Sequence, residues 1–174
     1  DLATNHHCQI SHDYNAPLGT DIWYGFSWKL DPSYLVTDLF NDGILAQWHG
    51  ATTGPAGGGP PPLAVYHDAT TLGFYIHGDP STAYVPGSGP PRVLIGSTWS
   101  IASEVAATQG VDYVMRVNYN YSGGLVQVWR KLATETTWTL IADYAGTTIY
   151  RMTDQTTEIG PFADWGPYEY NTYA

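Results

Sequence analysis

Gln47 and His49 stand two residues apart in the run Gly43-Ile44-Leu45-Ala46-Gln47-Trp48-His49-Gly50. The run is apolar at its start and bounded by turn-forming residues, Asn41-Asp42-Gly43 before it and Gly50 after, so it reads as a β-strand. The strand period of two sets Gln47 and His49 on one face and Ile44, Ala46 and Trp48 on the other, toward a core. An amide and an imidazole on the open face of such a strand is an unusual construction. Its plain alternatives are a surface-facing pair and a buried histidine satisfied by a backbone carbonyl. A second pattern, His7-Cys8-Gln9-Ile10-Ser11, would present His7, Gln9 and Ser11 together, but no carboxylate or cysteine spacing completes a metal site there. Glycoside hydrolysis by paired carboxylates fits poorly. The four glutamates are Glu104, Glu135, Glu158 and Glu169, and none sits in a Glu-x-Asp-x-x-Glu strand.

The elements that must position these residues are strands. Charged residues make up 13% of the 174 and aromatic residues 14%, with 19 Gly and 12 Pro, the profile of an all-β chain with many turns. Asp21–Leu30 alternates cleanly: Ile22, Tyr24, Phe26 and Trp28 should pack inward, with Asp21, Trp23, Gly25 and Ser27 outward. Val111–Tyr121 sets Tyr113, Met115, Val117, Tyr119 and Tyr121 on one face and Asp112, Val114, Arg116, Asn118 and Asn120 on the other. Ser122-Gly123-Gly124 then turns it into Leu125–Lys131, a hairpin. Shorter strands are expected at 63–67, 71–77, 92–95, 97–101, 138–144 and 147–152, and one or two helical turns after Asp31-Pro32. Residues 51–62 form a Gly/Pro/Thr loop, either a plain connector or the rim of a groove. Many short strands and no visible boundary point to one domain over 1–174, an antiparallel two-sheet sandwich or jelly roll.

A formal net charge of −10 with six Lys and Arg argues against nucleic acid and anionic membranes as partners. Residues 43–67 carry no charged side chain, yet Gly54–Pro62 would break any spanning helix. The lone Cys8 forms no intrachain disulfide, and no signal peptide is visible, as expected of a mature or trimmed chain.

Four blocks in order, Gly19–Leu30, Ile44–Gly50, Pro61-Pro62-Leu63-Ala64 and Gly124–Lys131, resemble the jelly-roll polysaccharide lyases. The nearest groups are the glucuronan lyase and heparin lyase I-like families, with alginate lyases more distant. Those lyases end in Tyr-x-Lys-x-Gly-x-Tyr. Here Phe162-Ala163-Asp164-Trp165-Gly166-Pro167-Tyr168 keeps the glycine and second tyrosine, with Phe162 and Asp164 at the places of the first tyrosine and the lysine. Their early Arg-x-Glu-Leu strand has only His7-Cys8-Gln9-Ile10 as its counterpart, so the arginine is missing, as if an initial strand were lost or trimmed.

The resemblance implies a concanavalin A-like jelly roll and β-elimination on a uronic-acid-containing polysaccharide in a concave groove. Gln47 would bind the carboxylate, His49 would act as base or neutraliser and Tyr168 as acid, or as base and acid together. His7, Gln9, Trp23, Arg116, Asn118 and Tyr170 would line the groove. It implies a secreted or extracellular protein needing no cofactor, with structural calcium away from the groove in some relatives. Such a groove needs a cation, since an amide supplies only a neutral dipole to the developing enolate. Arg116 is the best candidate once the family's arginine and lysine are gone. The alternative is a non-catalytic carbohydrate-binding module, or a surface component of an extracellular or viral assembly with protein partners. The 14 Tyr and 7 Trp would there supply stacking surfaces and interface anchors.

Overall fold

A computed structural model describes residues 10–11, 14–31, 43–49, 60–67, 70–78, 83–84, 92–152 and 161–169. In chain order the strands are β1 (Ile10–Ser11), β2 (Asp21–Trp28), β3 (Gly43–His49), β4 (Leu63–His67), β5 (Thr71–His77), β6 (Ala83–Tyr84) and β7 (Arg92–Ser100). A short helix, α1 (Ile101–Ala106), precedes β8 (Val111–Asn118), β9 (Gly124–Leu132), β10 (Thr139–Gly146), β11 (Arg151–Met152) and β12 (Phe162–Glu169). A six-stranded antiparallel sheet in the order β1-β12-β3-β4-β5-β7 faces a four-stranded one in the order β10-β9-β8-β2. The architecture is the expected all-β, two-sheet jelly roll. β6 and β11 add a separate parallel pair.

The alternating sequences land as their period dictates. Val111, Tyr113, Met115 and Val117 on β8 are buried with Val126 and Val128 on β9, while Asp112, Val114, Arg116 and Asn118 face away. Against them the six-stranded sheet packs Ala46 and Trp48 from β3, Leu63 and Val65 from β4, Leu72, Phe74 and Ile76 from β5, and Ala163 from β12. Trp48 is fully buried at the centre, with the rings of Tyr24, Phe26, Phe74 and Trp165 at centroid distances of 5.1 to 6.4 Å. Trp28 and Trp99 pack against the same core. Much of the aromatic complement therefore fills the sandwich rather than forming sugar-stacking or interface surfaces.

Where β7 was expected to break into two strands it continues through Gly96, whose φ of +83° lets the backbone pass β10 closely. A Cβ there would lie 2.1 Å from the Ile141 carbonyl oxygen. The strand expected to run to residue 101 ends at Ser100, and Ile101 opens the helix, with the Ser100 hydroxyl accepting from the Ala102 amide at the N-cap. Residues 147–150, expected as strand, have no regular structure. There Thr148 Oγ1 donates to the Asn118 carbonyl at 2.7 Å and accepts from the Asn120 amide at 2.7 Å. The helical turns expected after Pro32 lie outside the described residues.

Four buried phenols set an alkaline limit. Burial pushes Tyr24 up to about 12, and raises Tyr113, Tyr119 and Tyr150 as well. In the unfolded chain these groups ionise near 10, so above that pH the unfolded state holds fewer protons and the folded state loses ground. Urea midpoints measured at stepped pH are expected to fall continuously from about pH 10 to 12. A flat profile over that interval would contradict the assignment.

Candidate functional site

β3 carries Gln47 and His49. Gln47 is buried and stands opposite Asp164 on β12 and Ala64 on β4, while His49 is half-buried and stands opposite Phe162. Trp48, between them, points into the core, so Gln47 and His49 share the outer face of the six-stranded sheet. The register shift between Ile44 and Ala46 changes the expected pattern at the start of the strand. Leu45 joins the main core with Ala46 and Trp48, and Ile44 turns to the Gln47 face, packing with Ala64, Tyr66 and Tyr75. A bulge admits an extra residue, and every residue before it changes sides.

Tyr168 is in register with Ile44 across a second irregularity, between Trp165 and Tyr168. β12 thus runs beside β3 with both sequence blocks on adjacent strands. Asp164 is 7% exposed, and its Oδ1 has no hydrogen-bond partner among the described residues.

Farther along the same face lies a cluster that the sequence reading missed. The Arg92 guanidinium sits over the Tyr66 ring at 4.4 Å and the Tyr75 ring at 5.0 Å. Tyr75 completes the cross-strand row Asp164–Gln47–Ala64–Tyr75, and Tyr66 stands opposite Ile44. Of the six Lys and Arg, Arg92 alone is carried by the six-stranded sheet. His77, opposite Arg92, has Nδ1 2.8 Å from the Pro61 carbonyl oxygen. A carbonyl only accepts, so Nδ1 carries the proton. Burial lowers the pKa of the ring and outweighs the bond to the Pro61 carbonyl, which raises it, while the Arg92 charge adds to the lowering, so the imidazole is neutral with Nε2 as its acceptor. The available signal was a lone basic residue opening a β-prone run just after Pro90 and Pro91.

The structure does not bring Trp23, Arg116 and Asn118 to this face. They lie on the outer face of the four-stranded sheet, on the far side of the core. There Arg116 Nε donates to Asp21 at 2.9 Å, Asn118 donates to the same carboxylate at 2.9 Å, and Trp23 stacks on Trp129 at 5.7 Å. Hydrogen bonds from Asn118 and Arg116 lower the Asp21 pKa. His7, Gln9 and Tyr170 lie outside the described residues. No group of three or more metal-ligating side chains occurs among the described residues, and no helix there is long and apolar enough to cross a membrane.

Fold and strand order define an antiparallel two-sheet β-jelly roll. The chain is similar to the crystal structure of endo-β-1,4-glucuronan lyase from the fungus Trichoderma reesei, with a TM-score of 0.61 and 15% identity over 95% of this chain. The match covers 64% of that structure's chain, so this chain spans a little under two thirds of its length. No protein-family model and no curated protein matches the chain.

Proposed function

We propose that the chain is a polysaccharide lyase domain acting by β-elimination on a uronic-acid-containing polysaccharide at the outer face of the six-stranded sheet. The observation that carries this reading is a cation, Arg92, on the face that bears Gln47 and His49. Arg92 and the Gln47 amide would hold the C6 carboxylate and lower the cost of the enolate as the C5 proton leaves. His49 would take that proton, or stand as a neutralising donor with Tyr168 as the base. The C5–H electron pair becomes the C4–C5 double bond as the C4–O bond breaks, and Tyr168 would protonate the departing oxygen. The step needs no metal or redox cofactor. A secreted or extracellular setting, with a polysaccharide as partner, goes with this reading.

A second reading, a non-catalytic carbohydrate-binding or assembly domain, is favoured by Asp164, a carboxylate opposite Gln47 where a polyuronate would be repelled. Incubation with a panel of polyuronates decides between them. The lyase is expected to produce the near-UV absorbance of the unsaturated uronate, and His49→Ala to lower that rate by about 10²–10⁴-fold. No product from the unaltered chain at high concentration would overturn the lyase in favour of the binding domain.

A further inference from the structure

A buried carboxylate oxygen without a partner is a liability to the fold. Desolvation costs an acceptor far more when nothing donates to it, and native chains leave few such atoms. Among the described residues Asp164 Oδ1 is one, and its surroundings say where it points. Its neighbours Ala163 and Trp165 pack into the core, so Asp164 shares the opposite face with Gln47, to which it is paired in register. The cross-strand row runs from Asp164 through Gln47 and the apolar Ala64 to Tyr75, with the Arg92 cation over Tyr75 at its far end. The two charges are kept apart. Asp164 and Tyr75 are three strand spacings from each other, about 14 Å at the usual interstrand distance.

We propose that Asp164 is a specificity-determining residue that accepts a hydrogen bond from a sugar hydroxyl, so that the unit bound over β12 and β3 presents hydroxyls there and directs any carboxylate toward Arg92. This rests on reading the face as sugar-binding, whether or not elimination follows. A carboxylate accepts and never donates when ionised, so it selects a donor; a second carboxylate in the same place would be repelled.

The test uses the full chain and its Asp164→Asn and Asp164→Ala forms. Calorimetric titration is made with a uronate oligosaccharide and with its carboxyl-reduced, neutral counterpart, alongside thermal melting. The hydroxyl contact is common to both sugars, so Asp164→Ala is expected to weaken binding of both by roughly tenfold or more, and Asp164→Asn by less. Both variants are expected to melt at or above the temperature of the unaltered chain, because neither keeps the buried carboxylate oxygen that lacks a hydrogen-bond partner among the described residues. Unchanged binding in both variants, or tighter binding of the uronate alone, would overturn the role of Asp164 while leaving the face a sugar site. A lowered melting temperature in Asp164→Asn would also overturn it, by showing that the carboxylate serves the fold. If the unaltered chain binds neither sugar, the reading of the face falls and the inference with it. Binding without elimination would sink only the lyase.

Discussion

Glu104→Ala is expected to lower folding stability by about 3–5 kcal/mol, the usual cost of stranding one member of a buried ion pair. Glu104 sits on α1 with its side chain fully buried, at the point where the chain crosses from β7 to the other sheet. Its Oε1 accepts from Arg130 Nε at 2.8 Å and Nη2 at 2.6 Å, and its Oε2 accepts from Trp28 Nε1 at 2.8 Å. One carboxylate thus ties the helix to β2 and β9, with β8 between them. Removing it leaves a largely buried guanidinium and an indole N–H without acceptors. For a chain of this size the loss corresponds to a melting temperature lower by roughly 10 °C. Glu104→Gln keeps the shape and part of the hydrogen bonding and is expected to lose less. Circular dichroism melts of the two variants check this, and a shift near zero for Glu104→Ala would mean that the pair contributes nothing net.

Strand alternation told inward from outward where the ladder is regular, as on β2 and β8. It failed at Ile44 because a bulge is one residue of slip, and composition does not mark where slip occurs. The six-residue helix was unreadable because it is shorter than two turns and shows no period of its own. The larger gap concerns the site. Two sheets of a sandwich have the same period, so an outward-facing residue on one looks like an outward-facing residue on the other. Arg116 and Gln47 are both outward, and they are on opposite sides of the molecule. Only strand order separates them, and strand order is set by which edges meet in three dimensions. Asp164 was legible as a departure from the lyase pattern, but its pairing with Gln47 needed the register of β12 on β3.

On the proposed reading the groove cation is Arg92 and not Arg116. Arg92→Ala is expected to lower the rate of elimination by about 10²–10³-fold, the usual loss when a charge-stabilising group is removed from a developing oxyanion. Arg116→Ala is expected to leave the rate unchanged, because Arg116 is paired to Asp21 at the exposed surface of the other sheet, where such pairs contribute little. Arg92→Lys keeps the charge but loses the planar fork that stacks on Tyr66 and Tyr75, so it should recover only part of the rate. Because Arg92 also contributes its ring contacts, about 0.5–2 kcal/mol, each variant is melted first and assayed well below its transition. Rising ionic strength should weaken binding of the polyuronate to the unaltered chain more than to Arg92→Ala, since screening acts on the charge that the variant lacks. The reverse result, activity lost in Arg116→Ala and kept in Arg92→Ala, would move the reacting carboxylate to the four-stranded sheet. It would also leave Gln47, His49 and Asp164 without a part in the chemistry.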